Sequence, residues 1–291
     1  MKKLPVALCQ MKVTADKDLN LQTARNFVEK AVQSHARLVV LPEIFNAPYE
    51  ARLFEQYAEP VPGPSSIALQ SMARDFKVAI VGGSIIEKDE TGRLYNTSLV
   101  FDHNGRLLAR HRKVHLFDVC IPGRIVFQES RVLSSGQNIA LFKLNGFTAA
   151  LLICYDIRFP EIARLAVLHG ADLLIVPAAF NLTTGPLHWD LLMRSRAVDN
   201  QAYVLACSPA RNHQASYQAW GHSAIVDPWG KIIAQAGPGE EIIHGLLDPG
   251  VVQEVRTALP VLKQLRTDLY ETAAKHAGVI TERGVDNEIP H

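Results

Sequence analysis

Short apolar runs that read as β-strands alternate along this chain with stretches of helical periodicity, and several of the runs are joined by tight turns. Pro5–Met11 and Leu38–Leu41 are strand-like. Between them, Asp18–His35 repeats apolar residues at Leu21, Ala24, Phe27, Val28 and Ala31, which is helical spacing. Pro64–Phe76 reads as a helix with proline in its first turn, and Val78–Val81 as a buried strand followed by Gly82-Gly83. Leu94–Asp102 and Arg106–His111 flank His103-Asn104-Gly105, and Ile139–Leu144 and Phe147–Ile153 flank Asn145-Gly146, both hairpin signals. Further on come a helix over Pro160–His169, a strand over Leu173–Val176, a helix over His188–Asn200 and a strand over Ala202–Cys207. Ala219–Val226 and Lys231–Ala234 flank the turn Asp227-Pro228-Trp229-Gly230, and one helix follows Pro249. Hairpins demand antiparallel neighbours. The pattern therefore predicts an α/β domain with a pair of mixed sheets covered by helices, rather than a purely parallel doubly wound sheet.

The chain has 291 residues, enough for two average domains, but no linker, repeat or low-complexity tract divides it. We expect one domain over residues 1–270 and a tail, 271–291, at a subunit interface or partly disordered. Apolar residues at 48% can fill a core, which excludes a mostly disordered chain. Thirty Lys+Arg against 29 Asp+Glu leave no basic excess for nucleic acid or an anionic membrane. No apolar run approaches the ~20 residues of a membrane span. The N-terminal stretch is short, holds Gln10 and is closed by Lys12, so it reads as a strand rather than an export signal. Cysteines at 9, 120, 154 and 207 form no C-x-x-C pair and are too sparse for a disulfide scaffold, which points to a reducing, cytoplasmic setting.

One cysteine stands apart. The apolar strand ending at Ile153 runs into Cys154, and Pro160-Glu161 opens a helix soon after. A residue at such a turn is exposed at the sheet edge, where backbone N–H groups can face a developing oxyanion. The ordinary alternative is a buried structural cysteine. Cys9 and Cys207 lie within apolar strands, and Cys120 reads as a loop residue without a nearby base. Glu43 ends the strand run Leu38–Pro42, where partial desolvation raises a carboxylate's pKa and suits it to moving a thiol proton; an ordinary loop glutamate is the alternative. Lys113 follows the strand that ends near Arg112. Taken alone it is a surface lysine, but beside a thiol it would lower the thiol pKa and hold an oxyanion. His111 and His115, four apart, lack the further ligands of a zinc site.

The segments Leu41-Pro42-Glu43, His111–Leu116 and Ile153–Glu161 together resemble the nitrilase superfamily of carbon–nitrogen hydrolases in residue order and spacing, over roughly residues 4–270. The resemblance implies a four-layer αββα sandwich and a Glu43–Lys113–Cys154 triad. Glu129 matches a second glutamate that would orient Lys113 or the substrate amide. The Tyr155 backbone N–H would join Lys113 at the oxyanion. The form Cys154-Tyr155-Asp156-x-Arg158-Phe159 resembles the omega-amidase and deaminated-glutathione amidase branches. Ala179–Trp189, Arg196–Gln201, Ser208–Arg211 and Ile121–Ser130 resemble the former more closely.

That branch implies hydrolysis of short dicarboxylate monoamides, such as 2-oxoglutaramate and 2-oxosuccinamate, through a cysteine thioester, with no metal or organic cofactor needed. The far carboxylate of such a substrate needs a cation and donors. Arg158 is the expected cation, although a structural ion pair is its alternative. Thr184, Asn181 and Tyr49 are the expected donors, and Phe180 and Phe117 the expected walls. Local backbone bonding is an equally ordinary role for Asn181 and Thr184. Family members commonly form homodimers, which makes His188–Asn200 and the tail the interface candidates. A deaminated-glutathione amidase is the second enzyme reading. A binding or scaffold protein that lost catalysis is the non-enzyme reading, against which all three triad positions are filled.

Overall fold

The computed structural model describes residues 2–275 and, by backbone alone, 280–282. The first sheet is built on β1 (Leu4–Gln10), β2 (Leu38–Val40) and β3 (Ala79–Val81), which run parallel, with Val6 opposite Leu38 and Leu38 opposite Ala79. β15 (Glu241–Leu247) lies antiparallel beside β1. On the other side β3 pairs antiparallel with β5 (Leu94–Phe101), which also carries β4 (Ile85–Lys88) and β6 (Leu107–Arg112). In the second sheet β10 (Phe147–Leu151), β11 (Leu173–Pro177) and β12 (Tyr203–Cys207) are parallel. Antiparallel β9 (Ile139–Leu144), β13 (Ala224–Val226) and β14 (Ile232–Gln235) flank them. A short strand, β16 (Ile280–Glu282), adds parallel to β9. Of the expected 271–291 tail, only 271–275 and these three strand residues are described, and the rest lies outside the described residues.

Alternation along each strand explains the layers. In β1, Val6 and Leu8 join the core between the sheets, whereas Ala7 and Cys9 face α1 (Lys17–Gln33) and α3 (Pro64–Phe76). In β11, Leu173 and Ile175 face the first sheet, and Leu174 and Val176 face α4 (Pro160–Leu168) and α5 (Gly185–Asn200). Strands covered on both faces read as continuous apolar runs. The result is the expected αββα sandwich. The short α2 (Phe54–Tyr57) packs near the site. α6 (Pro249–Ala258) closes one end, where Arg256 donates to the carbonyls of Gln201 and Ala171. Among the described residues no helix is long and apolar enough to cross a membrane.

Three differences from expectation have local causes. α5 starts at Gly185, three residues early, because Pro186 suits a first helical turn. The strand expected from Ala219 begins only at Ala224, since Gly221 and His222 take φ of +76° and +58°, incompatible with a strand. Residues 118–128, where Cys120 was expected in a loop, form the hairpin β7 (Asp118–Ile121) and β8 (Ile125–Gln128).

Candidate active site

The groups expected to do chemistry lie just past strand ends of both sheets, the usual place for ligands in open α/β sheets. Glu43 follows β2 from the first sheet, and Lys113 follows β6. Cys154 follows β10 and Ala179 follows β11, both from the second. Glu129 follows β8. Two glycines permit the close approaches that set these residues. Gly83 has φ of +54°, and a Cβ there would fall 2.0 Å from the Pro42 carbonyl oxygen, just before Glu43. A Cβ on Gly136 would fall 2.1 Å from the Arg112 carbonyl oxygen, where the Gly136 N–H donates to Lys113 O.

Cys154 has φ of +47° at the strand-to-helix turn, and Ile44, next to Glu43, has +46°. Left-handed backbone costs an L-residue roughly 1–2 kcal/mol, more for a β-branched one. The surrounding packing sustains this cost at two points beside one site.

Lys113 is fully buried. Its Nζ lies 3.0 Å from Glu43 Oε1 and 3.0 Å from Glu129 Oε1. Glu43 Oε1 also accepts from Asn96 Nδ2 at 2.9 Å, and Oε2 accepts from the Ala179 N–H at 2.8 Å. Glu129 Oε2 accepts from the Phe117 N–H at 2.7 Å. Burial pulls the lysine pKa down, but Glu129 and Glu43 outweigh it and raise it well above the usual value. Burial raises the Glu43 pKa against the opposing pull of Lys113, and Glu129 adds to the rise. Burial, and then Glu43, raise the Cys154 thiol well above its usual range; Lys113 and the Ala179 N–H pull the other way. The thiol lies close enough to the Glu43 carboxylate for each to shift the other's pKa. At rest the sulfur therefore keeps its proton beside an acceptor carboxylate, rather than standing as a free thiolate.

A narrow pocket opens at the thiol, lined by Phe117, Tyr155, Arg158, Phe180, Asn181, Thr184 and Tyr217 beside Cys154. Five residues expected to bind substrate meet there. Tyr49, the sixth, does not line it. Its hydroxyl donates to Glu129 Oε1 at 2.7 Å and lies 3.3 Å from Glu43 Oε1, because two buried carboxylates claim the donor. Asn181 caps its own loop, Oδ1 accepting from the N–H groups of Thr183 and Thr184 at 2.9 Å. The Thr184 hydroxyl also turns to it. Asn181 Nδ2 is buried and unpartnered among the described residues, which leaves a donor at the pocket wall.

Two features of the site went unread in the sequence. Tyr217 walls the pocket and donates to Ala179 O at 2.5 Å. No motif surrounds it, and only its aromatic character was available as a signal. The second is Asp156, fully buried two residues after Cys154. It accepts from the Ile153 N–H at 2.9 Å, the His115 N–H at 2.8 Å and His115 Nδ1 at 2.9 Å, and it faces His111 Nε2 at 3.4 Å. Burial would raise its pKa, but these bonds hold it well below the usual carboxylate range. Its stabilisation is present above the unfolded value of about 3.9 and is lost only as pH falls through the depressed folded value. The histidines at spacing four, unconvincing as zinc ligands, thus clamp the Cys154 turn to the Lys113 segment. Asp156→Asn turns one acceptor into a donor facing donors. It should lower kcat about 10²-fold, as misplaced groups do, and stability by about 1–3 kcal/mol. Steady-state rates and a denaturant melt check both; unchanged kcat would remove the positioning role.

The sequence model of the carbon–nitrogen hydrolase family matches residues 5–257. The chain belongs to this family, and it is a hydrolase acting on carbon–nitrogen bonds with the fold of that family. It is 47% identical to omega-amidase NIT2 of Homo sapiens over 275 residues, covering 94% of this chain and 99% of that protein. It is 50% identical to omega-amidase NIT3 of Saccharomyces cerevisiae over 282 residues, covering 94% and 97%. The crystal structure of Saccharomyces cerevisiae Nit3, a member of branch 10 of the nitrilase superfamily, matches with a TM-score of 0.84 and 48% identity over 91% of this chain and 97% of that one.

Proposed function

We propose that this protein is an omega-amidase that hydrolyses the terminal amide of short dicarboxylate monoamides, such as 2-oxoglutaramate and 2-oxosuccinamate, to the acid and ammonia. Close similarity to curated omega-amidases supports the activity. One observation carries the substrate class. Arg158 is half-buried in the thiol pocket and makes no ion pair with a carboxylate among the described residues. Its guanidinium lies 4.6 Å from the Phe180 ring centroid. A cation kept partly out of water without a counter-charge is set for an anionic ligand.

In this reading Cys154 attacks the amide carbonyl while Glu43 accepts the thiol proton. Lys113 and the Tyr155 N–H hold the oxyanion. The Tyr155 N–H lies in the first helical turn, where donors lack intrahelical partners. Glu43 gives its proton to the departing ammonia, leaving a thioester. It then takes a proton from water as the water attacks, and the returning thiol releases the acid. Glu129 and Tyr49 hold Lys113. The domain spans residues 1–270 and works in the cytoplasm, consistent with four free cysteines among the described residues. It pairs as a homodimer through α5, whose outer face exposes Leu187, Leu191 and Val198.

The test is ammonia release from open-chain 2-oxoglutaramate beside deaminated glutathione, with Cys154→Ala as blank. Faster release from the short substrate is expected, and preference for the peptide-like one would overturn the assignment. Arg158→Leu should lower kcat/KM for 2-oxoglutaramate about 10²-fold, mainly through KM, as loss of a desolvated charge pair does. An unchanged KM would remove Arg158 from the pocket's chemistry.

A further inference from the structure

Arg158 is held from several sides. Its backbone carbonyl accepts from Arg196 Nη2 at 3.1 Å, and the neighbouring Ile157 carbonyl accepts from Arg196 Nε at 2.9 Å. Both bonds come from α5. Phe180 lies against the guanidinium face, and Phe180 is itself braced edge-on by Trp189 at 5.1 Å. A stack fixes the plane of a guanidinium but leaves it free to turn within that plane. The hydrogen-bonding contact to the guanidinium comes from the first turns of α5, where Arg158 Nη1 lies 3.0 Å from His188 Nδ1.

An arginine can only donate, so Nδ1 must be the unprotonated nitrogen, and the ring proton sits on Nε2. We propose that His188 is a specificity-determining positioning residue, which fixes the in-plane rotation of Arg158 so that the fork's free edge receives the substrate's far carboxylate at a set distance from Cys154. This rests on the omega-amidase reading and assigns within it how the pocket measures its substrate. His188 takes one N–H of the guanidinium and leaves four for the ligand, enough for a bidentate carboxylate pair. Partial burial, and then the adjacent guanidinium, hold the His188 pKa below the usual histidine value, which keeps the acceptor available at neutral pH. Preorganisation of this kind improves binding because the side chain need not be ordered by the ligand.

Glutaramate and pentanamide form a clean probe pair. They share the five-carbon amide, and only the first carries the far carboxylate. Neither has the keto group through which 2-oxoglutaramate cyclises. In steady-state ammonia release, His188→Leu should cut the ratio of kcat/KM for glutaramate over pentanamide about tenfold, the usual worth of a hydrogen bond to a charged group. The change should appear in KM for glutaramate rather than in kcat. His188→Asn, whose Oδ1 leaves Cγ as Nδ1 does, should restore most of the ratio. A general disturbance of α5 would lower both substrates together, leave the ratio intact and overturn the proposal. So would a ratio lost in His188→Leu and not recovered in His188→Asn. A wild-type enzyme with no preference for glutaramate would instead overturn the Arg158 assignment itself, and this proposal with it.

Discussion

Glu43→Gln is expected to lower kcat/KM for 2-oxoglutaramate by about 10⁴-fold, because in the proposed mechanism one carboxylate serves as base and acid in both halves of the reaction. The geometry makes the loss sharp. Oε1 accepts from Asn96 and Lys113, and Oε2 from the Ala179 N–H. An amide can present oxygen to only one of these sets, so a donor will oppose a donor. A stability loss of about 1–3 kcal/mol should accompany the kinetic one. The thiol should behave in the opposite sense. The Glu43 charge is second only to burial in raising the Cys154 pKa. Its removal should let iodoacetamide alkylate Cys154 no more slowly than in the wild type, even as turnover collapses. Retention of a tenth of wild-type activity would end Glu43's candidacy as the base. In the wild type the raised Glu43 pKa should place the acid limb of kcat/KM above the ordinary glutamate value of about 4.3, with activity falling as pH drops through it.

Lys113→Met should be the most damaging change to stability. It leaves two buried carboxylates, those of Glu43 and Glu129, without the cation that lies 3.0 Å from each. Breaking a buried ion pair from one side costs about 3–5 kcal/mol. For a domain of this size that corresponds to a fall in Tm of roughly 6–20 °C. The pH dependence has a definite sign. In the wild type the lysine's folded pKa is raised, so its contribution is complete below the unfolded value of about 10.4 and constant through the physiological range. In the variant Glu43, already raised by burial, loses the opposing pull of Lys113, so its folded pKa rises further and stability drains away as pH increases. The gap in urea midpoint between wild type and variant should therefore be larger at pH 8 than at pH 5. Activity should fall by at least about 10³-fold, the scale of a lost oxyanion donor. Equal midpoints at both pH values would mean that the carboxylates do not depend on Lys113.

Glu43, Lys113 and Cys154 were legible in the sequence because each terminates a strand run, and the position of a strand end can be read from an apolar run. Their electrostatic union could not be read that way, and only the joint resemblance to a family tied them together. The αββα layering followed from runs such as Leu173–Val176, buried on both faces, together with the hairpin turns. Strand β15 escaped because Glu241, His244 and Gly245 interrupt its apolar pattern on a half-exposed edge. The β7–β8 ribbon escaped because it is exposed on alternate residues and turns through Pro122-Gly123. Asp156 was hidden for another reason. Its partners His111 and His115 are more than forty residues away in sequence, and a buried polar cluster has no periodicity. Tyr49 was read as a substrate donor since its type suited the task, but no spacing rule could show that its hydroxyl would donate to Glu129 instead.

The hydrogen bond from the Ala179 N–H to Glu43 joins a group at the end of one sheet to a group at the end of the other, 136 positions apart in the chain. The proposed base and nucleophile belong to different halves of the sandwich, and neither half holds the pair. During synthesis, the segment bearing Glu43 and Lys113 leaves the ribosome well before Cys154. An unfinished or half-docked chain therefore carries only an unactivated thiol or an idle carboxylate, and hydrolytic power arrives with closure of the sandwich. The same arrangement makes turnover a report on the integrity of the whole molecule, since any slippage between the two sheets would part the reacting groups before it exposed much of either core.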